Sequence, residues 1–184
     1  MRARLCSQNP HKLEELRASL PGWRLELLDA DDYPAEDGAT YEENARGKAR
    51  FGRGLAPPDE WVLGEDSGIE VDALGGAPGI HSARWADDGN ARLLAELEGR
   101  DDRSARYVCT IVALGPGGEE LVARGTLEGA VARVPRGEEG FGYDPVFVPA
   151  GGTRTVAELG DAWKARHSHR ARAAARLAEL MRAR

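Results

Sequence analysis

Two acidic residues, Glu65 and Asp66, stand side by side in a part of the sequence that is otherwise apolar. Residues 61–63 before them predict a short buried strand, and residues 69–72 after them alternate like a half-buried strand. Removing a carboxylate from water costs several kcal/mol unless a cation, hydrogen bonds or a metal compensates. The pair therefore predicts either a hard-cation site at the end of a strand or a solvated turn that continues into Ser67.

Lysine is rare in this chain, and its three positions are candidates for binding anions or carboxylates. Lys12, Lys48 and Lys164 are the only lysines among 25 basic side chains. A compact ammonium group fits a phosphate or a carboxylate cluster where the planar guanidinium of arginine does not. Chance retention of three lysines is the alternative interpretation.

The first lysine lies where a predicted strand is followed by a predicted helix. Residues 3–6 form the strand, and Asn9 and Pro10 suit the N-cap and the first position of a helix with leucines on one face. Lys12 falls in the first turn, where free N–H groups and the positive end of the helix dipole attract anions. Because every helix needs a cap, an ordinary helix start and a phosphate site both remain open.

The second lysine is predicted to lie on a helix that follows an acidic loop. Thr40 and Glu43 have the spacing of a capping box, which predicts a helix over residues 41–55. Helical periodicity places Asn44 and Lys48 one turn apart on the same face. Such a pair is usually solvated surface, but the rarity of lysine favours a functional interpretation.

The second half of the chain predicts a β-hairpin, an aromatic segment and a terminal helix. Residues 105–114 and 119–126 form the two strands around a glycine-rich turn. Phe141 and Tyr143 stand between glycines, where a ring either stacks on a flat ligand or packs into the core. The last predicted element is an alanine-rich helix that runs to Arg184.

A second capping box, Thr155 with Glu158, precedes the third lysine, Lys164. His167 and His169 follow, and they lack the companion ligands that a zinc site needs. The segment is therefore predicted to be helical and to bind no zinc.

Length and composition restrict the possible classes of protein. The 184 residues suffice for a single domain, 1–184, that buries about 70% of its unfolded surface. A net charge of −6 argues against a general nucleic-acid binder and favours a small-molecule partner. Cys6 and Cys109 are expected to be buried free thiols in a reducing cytoplasm. No apolar run is long enough for a signal peptide or a membrane span, so we expect no membrane association.

Several motifs recur in an order that is specific as a set, although each one alone is weak. Together they resemble the inosine triphosphate pyrophosphatase family, the dITP/XTP pyrophosphatases that remove deaminated purine nucleotides, and the resemblance covers nearly the whole chain. In chain order the motifs are Ser7-x-Asn9-x-x-Lys12, Glu36-x-Gly38-x-Thr40-Tyr41-x-Glu43-Asn44-Ala45-x-x-Lys48, Asp66-Ser67-Gly68, Leu74-Gly75-Gly76-Ala77-Pro78-Gly79-Ile80, Phe141-Gly142-Tyr143-Asp144-Pro145, Ala157-Glu158-Leu159, Lys164 and Ser168-His169-Arg170.

The resemblance implies an α/β fold with a long, twisted mixed sheet flanked by helices, and two lobes with a central nucleotide cleft. It also implies a homodimer and a reaction in which water and a magnesium nucleoside triphosphate give the monophosphate and pyrophosphate. Mg²⁺ is the implied cofactor, which agrees with hard oxygen ligands that bind the ion partly through phosphates and water.

The resemblance also assigns roles to individual residues. Glu36 and Asp66 are implied as ligands of Mg²⁺, and Asp66 as the acceptor of the proton from the attacking water. Lys12 is implied as a catalytic phosphate ligand, and Lys48 as a partner of phosphates or carboxylates. The triphosphate is expected to contact the first turn, which consists of Ser7, Gln8, Asn9, Pro10, His11 and Lys12. The nucleoside is expected to contact Ser67, Phe141, Gly142, Tyr143, Asp144, Lys164, His169 and Arg170.

One departure from the family pattern concerns Glu65, because the family often has Asp-Asp at this position. The longer side chain leaves open whether Glu65 binds the metal directly, through water or not at all. Two other functions also stay open at this point: a purine nucleotide sensor that does not hydrolyse its ligand, and a metal-dependent phosphomonoesterase that releases orthophosphate.

Overall fold

The computed structural model describes residues 1–183, which contain six β-strands and six α-helices. Two short 3-10 helices, Asp72–Leu74 and Gly79–Arg84, follow the third strand. The strands are β1 (Arg2–Cys6), β2 (Arg24–Leu27), β3 (Trp61–Val71), β4 (Ser104–Leu114), β5 (Glu120–Val131) and β6 (Phe147–Pro149). The α-helices are α1 (Pro10–Ser19), α2 (Tyr41–Arg53), α3 (Gly89–Glu96), α4 (Val156–Leu159), α5 (Asp161–His167) and α6 (His169–Arg182).

The strands form one mixed sheet in the order β2-β1-β3-β4-β5-β6. β1 pairs in parallel with β2 on one side and with β3 on the other, so that Leu5 lies opposite both Leu27 and Leu63. β5 and β6 pair in an antiparallel arrangement. The sheet with its flanking helices confirms the predicted α/β class, and the nucleotide cleft stays a prediction.

The chain divides into two compact units, and each has its own apolar core. Unit 1 comprises residues 1–66, 109–125 and 170–184, and its core includes Leu16, Leu63 and Leu177. Unit 2 comprises residues 67–108 and 126–169, and its core includes Ile69, Leu93, Val146 and Phe147. The expectation of a single domain over residues 1–184 stays a prediction.

The helix starts expected from the sequence are largely present. The Asn9 side chain caps α1 by accepting hydrogen bonds from the N–H groups of His11 and Lys12. Thr40 caps α2, but Glu43 accepts from the N–H of Ala39 instead of the cap, so this capping box is incomplete. The box formed by Thr155 and Glu158 is complete.

Two predicted ends of helices or strands differ from those in the structure, and a third predicted end lies outside the described residues. α2 ends at Arg53, and β5 continues past the predicted end at residue 126 to Val131. α6 ends at Arg182, and Arg184 is not among the described residues. The alanine-rich terminal helix is otherwise confirmed.

Cys6 and Cys109 are both buried and free, as predicted. Within residues 1–183, every helix is too short or too polar to cross a membrane.

Candidate active site

Glu65 and Asp66 lie in the middle of β3, which runs without interruption from Trp61 to Val71. The predicted turn at Ser67 is therefore wrong, because the glycine and serine continue the strand. Side chains of adjacent strand residues point to opposite faces of a sheet. The two carboxylates accordingly belong to two different clusters of side chains.

The Asp66 cluster is formed by α2 and the acidic loop before it. Asn44 Nδ2 donates to Asp66 Oδ2 at 3.0 Å, and Lys48 Nζ lies 3.4 Å from Asp66 Oδ1. The same Lys48 ammonium donates to the main-chain oxygen of Glu65 at 3.0 Å and forms an ion pair with Glu36. The predicted placement of Asn44 and Lys48 on one helical face is confirmed, but that face is buried.

Gly64 explains how α2 comes close enough to β3 to form this cluster. A Cβ atom at position 64 would lie 1.9 Å from the carbonyl oxygen of Ala45 and 2.6 Å from the amide nitrogen of Ala49. Because only glycine avoids that clash, the helix backbone can pack directly on the strand. The contact brings Asn44 and Lys48 within reach of Asp66, two residues farther along β3.

The environment of Asp66 changes its proton affinity. Burial raises the pKa of the Asp66 carboxyl above its usual range, and the neighbouring Lys48 ammonium and Asn44 amide offset only part of this effect. Burial lowers the pKa of Lys48, but the carboxylates of Asp66 and Glu36 outweigh it and leave the pKa raised. A carboxylate with a raised pKa is a better proton acceptor for water than an ordinary surface acid.

The oxygen atoms around Lys48 fit a hard cation. Carboxylate oxygens of Glu36 and Asp66 and the main-chain oxygen of Glu65 all contact one positively charged group. Among residues 1–183 no group of three or more His, Cys, Asp or Glu side chains is arranged to hold a metal ion. A metal bound here would need oxygens from phosphate and water besides the two carboxylates, which is the way Mg²⁺ usually binds.

The Glu65 carboxylate faces a second, fully buried cluster. It is 0% exposed, and Lys12 Nζ lies 2.6 Å from its Oε2. Arg170 donates to its Oε1 from two nitrogens, at 3.1 and 3.2 Å, and the Cys109 thiol donates to the same oxygen at 3.3 Å. Burial favours the neutral acid, but Lys12 and Arg170 outweigh it and hold the pKa of Glu65 well below its usual range.

Arg170 is buried together with two acids of unit 1. Its side chain is 2% exposed, and its guanidinium forms ion pairs with Glu15 and Glu65. Burial opposes the charge, but these carboxylates raise the pKa of Arg170. The charge of the guanidinium is therefore balanced by unit 1 itself.

In the turn between β1 and α1, side chains of the turn itself accept hydrogen bonds from N–H groups that the sequence predicted to be free for an anion. The Ser7 hydroxyl accepts a hydrogen bond from the Asn9 N–H at 3.1 Å, and Asn9 Oδ1 accepts from His11 at 2.9 Å. Lys12 lies in the first turn of α1, and no acidic residue occurs in that turn. Gln8, Pro10 and His11 are exposed around it.

In unit 2, Asp144 accepts hydrogen bonds from three different directions. Lys164 Nζ donates to Oδ2 at 2.6 Å, and the Phe141 N–H donates to the same oxygen at 2.9 Å. The Tyr107 hydroxyl donates to Oδ1 at 3.2 Å. The Lys164 ammonium also lies 4.6 Å from the centre of the half-buried Phe141 ring. Asp144 thus fixes both the lysine and the segment that carries the phenylalanine.

Gly140 permits this arrangement. Its φ angle is +80°, and a Cβ atom would lie 2.3 Å from Asp144 Oδ2 and 3.1 Å from Lys164 Nζ. Any other residue would therefore meet both a strained backbone and a clash with the ion pair.

The other residues predicted for the nucleoside occupy different environments. His169 is buried, and its ring stacks on Tyr107 with 4.6 Å between centroids. Tyr143 is a core residue whose hydroxyl donates to the Ser82 carbonyl at 3.1 Å. Ser67 is partly exposed on β3, and Gly142 is exposed.

Sequence reasoning did not assign to any site three side chains that belong to these clusters, although it expected one of them, Cys109, to be a buried thiol. Glu15 follows Lys12 by three residues, so helical spacing could have indicated it. Cys109 and Tyr107 lie on β4, and nothing in their local sequence distinguishes them from other strand residues.

Fold and site together define an α/β protein in which buried lysines and carboxylates form ordered clusters. The Ham1 family model matches residues 3–180, so the chain belongs to the Ham1 family. A protein of an Exiguobacterium species named dITP/XTP pyrophosphatase is 44% identical over 188 residues, which cover 96% of this chain and 95% of the relative. A protein of the same name from Symbiobacterium thermophilum is 47% identical over 187 residues, 96% of this chain and 93% of the relative.

Solved structures give the same family. The Staphylococcus aureus Ham1 protein has a TM-score of 0.86 at 35% identity, with 100% of this chain and 99% of that chain covered. A HAM1 protein from Coxiella burnetii has a TM-score of 0.83 at 33% identity, with both chains covered completely.

Proposed function

We propose that this protein hydrolyses deaminated purine nucleoside triphosphates, namely ITP, dITP and XTP, to the monophosphate and pyrophosphate. Relatives that match almost the whole chain bear the name dITP/XTP pyrophosphatase. The observation that carries the proposal is the cluster of Asp66, Lys48 and Glu36, which combines a buried carboxylate of raised pKa with oxygens suited to a cation.

The triphosphate is assigned to the start of α1. The positive end of the helix dipole attracts phosphate. Lys12 adds a positive charge, and Glu65 holds its ammonium at 2.6 Å. Ser7 and Asn9 supply polar side chains in the same turn. Gln8, Pro10 and His11 complete the segment that would surround the phosphates.

Asp66 is assigned as the general base. It accepts a proton from a water molecule whose oxygen forms a bond to the α-phosphorus, and the bond from that phosphorus to the bridging oxygen breaks to release pyrophosphate. Lys48 and Asn44 hold the Asp66 carboxylate in place while it takes the proton. Bound Mg²⁺ would neutralise phosphate charge and activate water.

Glu36 and Asp66 are the metal ligands that we propose, and Glu65 is the weaker candidate among the three acids predicted from the sequence. The Glu65 carboxylate already pairs with Lys12 and Arg170. Its neighbour Asp66 points to the opposite face of β3. Glu65 contributes its main-chain oxygen, and not its carboxylate, to the set of oxygens around Lys48.

The nucleoside is assigned to the aromatic segment of unit 2 and its polar neighbours. Phe141 is half-buried and can stack on a flat base. Hypoxanthine and xanthine present an acceptor at O6 beside an N1–H donor, whereas adenine presents the opposite pattern. Donors such as Lys164 and His169 would therefore favour the deaminated bases, since each buried unpaired group costs about 1–3 kcal/mol. Ser67, Gly142, Tyr143 and Asp144 are assigned to the same subsite.

Arg170 was predicted from the family resemblance to contact the base, and that role stays a prediction. Its guanidinium is occupied by Glu15 and Glu65. These contacts favour a different role for Arg170. It would hold the Glu65 carboxylate in place, and Glu65 in turn would hold the Lys12 ammonium where it can bind the phosphates.

The product released from ITP with Mg²⁺ tests the proposal. We expect IMP and pyrophosphate in equal amounts, with ITP, dITP and XTP as good substrates, ATP and pyrimidine nucleotides as poor ones and GTP between them. Orthophosphate as the first product would identify a phosphomonoesterase. Tight binding of ITP without turnover would identify a nucleotide sensor.

Three further expectations belong to this proposal. We propose a homodimer on the basis of the family resemblance alone. We place the protein in the cytoplasm, since both buried cysteines are free thiols. The net charge of −6 supports a small-molecule substrate over nucleic acid.

A further inference from the structure

Tyr107 on β4 contacts two residues of the proposed nucleoside subsite. Its side chain is almost completely buried, and its ring lies 4.6 Å from the His169 ring, nearly parallel to it. On the core side the ring of Phe147 lies 4.2 Å away. The tyrosine ring therefore sits between the apolar core of unit 2 and the histidine.

The Tyr107 hydroxyl takes part in the hydrogen bonding of Asp144. Lys164 and the Phe141 N–H both donate to Oδ2, and the tyrosine donates to Oδ1 at 3.2 Å. The plane of the carboxylate turns by rotation about the Cβ–Cγ bond, and hydrogen bonds at both oxygens resist this rotation more than hydrogen bonds at one. A donor at the second oxygen fixes the plane of the carboxylate, and with it the direction in which Lys164 is held.

We propose that Tyr107 is a positioning residue that determines base specificity by orienting Asp144 through its hydroxyl and His169 through its ring. The inference rests on the proposed function, because it assigns a role within that nucleoside subsite. Tyr107 itself need not touch the substrate. It would act by fixing the donors Lys164 and His169 at the distance that a 6-oxo purine requires.

Such a role predicts a particular kinetic signature. Donors that bind the base contribute equally in the ground state and the transition state, because the base takes no part in bond breaking. Loss of their alignment therefore raises KM and leaves kcat nearly unchanged. The effect is specific for bases with an O6 acceptor, since ATP gains nothing from donors at that position.

The test compares wild-type protein with Tyr107→Phe, which removes the hydroxyl and keeps the ring contacts. We expect KM for ITP to rise about 3- to 10-fold, the scale of one hydrogen bond, while kcat stays within about 2-fold. The KM for ATP is expected to change much less. The inhibition constant of inorganic tripolyphosphate, which lacks a nucleoside, is expected to stay the same. Thermal unfolding of both proteins monitors the fold.

A double-mutant cycle tests whether the hydroxyl acts through Asp144. Asp144→Asn alone is expected to raise KM for ITP, and adding Tyr107→Phe is expected to raise it little further, because the two changes disrupt one network. Fully additive effects would overturn the proposed route through Asp144.

Other outcomes separate this inference from the proposed function. If wild-type protein releases pyrophosphate from ITP but Tyr107→Phe leaves KM unchanged, the role of Tyr107 is disproved and the function stands. Equal losses with ITP, ATP and tripolyphosphate would mean that the hydroxyl only supports the fold. If wild-type protein releases no pyrophosphate from ITP, the proposed function itself fails.

Discussion

Two buried aspartate–lysine pairs, one in each unit, differ in how firmly they are held. In unit 1, Lys48 lies 3.4 Å from Asp66 and shares its charge with Glu36 and the Glu65 main-chain oxygen. In unit 2, Lys164 lies 2.6 Å from Asp144, whose oxygens also accept two further hydrogen bonds. The contact between lysine and aspartate is therefore longer in the first pair than in the second.

The comparison shows that residue type alone does not define a role. Asp66 lies among carboxylates, and burial raises its pKa, so it is suited to accept a proton. Asp144 is surrounded by donors and is suited to hold neighbouring groups in place. The neighbours of each carboxylate make the difference, namely other carboxylates near Asp66 and hydrogen-bond donors around Asp144.

The largest expected effect is on turnover, in Asp66→Asn. We predict that kcat with ITP falls at least about 10²-fold, because the amide cannot accept the proton of the attacking water. Asp144→Asn serves as the matched variant, and here we expect the main change in KM. Steady-state kinetics of both variants measure the contrast, with circular dichroism as the control for folding. A normal kcat in Asp66→Asn would remove this residue from the mechanism.

The next largest effect is expected on stability. It tests whether the buried acids of unit 1 need their buried cation for the protein to stay folded. Arg170→Ala leaves Glu15 and Glu65 without their shared cation, which we expect to cost about 3–5 kcal/mol in the free energy of unfolding. Urea denaturation measures the loss. Lys164→Met removes a buried cation from unit 2 and serves as the matched variant in this comparison.

The same Arg170→Ala protein separates the two roles considered for this arginine. Because the guanidinium pairs with acids of unit 1, we expect the rates with ITP and with residual ATP to fall by the same factor. A loss confined to ITP would support the base contact predicted from the sequence.

A smaller effect is expected for Lys12, for which we propose a single charged contact to the phosphates. Lys12→Ala is predicted to lower kcat/KM by a factor that corresponds to about 1.5–3 kcal/mol. Lys12→Arg should restore only part of the loss, because a planar guanidinium does not fit the place of a compact ammonium beside Glu65. Complete rescue by arginine would show that charge alone matters and that the rarity of lysine is uninformative.

The smallest effect is a pH dependence in the segment that leads to Lys164. Hydrogen bonds from the Thr155 backbone, with help from Arg136, lower the pKa of Glu158 below its usual 4.5. Because the pKa of Glu158 is lower in the folded protein than in the unfolded chain, its ionised carboxylate stabilises the fold at pH values above the unfolded-state pKa. This contribution disappears as the pH falls through the folded-state pKa. Glu158→Gln should therefore lower Tm at pH 7 and match wild type at acid pH. A Tm difference that does not change with pH would contradict this assignment.

Local features of the sequence were sufficient to predict a helix start and a polar helical face at the candidate site. Asn9 and Pro10 indicated the start of α1, and the spacing of Asn44 and Lys48 indicated a shared face. These inferences succeeded because helix caps and helical periodicity depend on residues that are close in sequence. The order of the motifs also indicated the family to which the chain belongs.

The turn predicted directly after Glu65 and Asp66 is wrong for a physical reason. The Ser-Gly sequence after the pair suggested a turn, but hydrogen bonding in the sheet keeps β3 extended through it. Intrinsic turn preference is weak compared with pairing on a sheet. The two acids therefore point to opposite faces, and only one of them joins Lys48.

The sequence by itself determined the helix starts, the order of chemical groups along this chain and the α/β class. Only the tertiary structure decided which charges meet, because Arg170 reaches Glu65 across 105 positions and Tyr107 reaches Asp144 across 37. Partners so distant leave no periodic or local pattern, since they come together only when strands and helices pack into a common core.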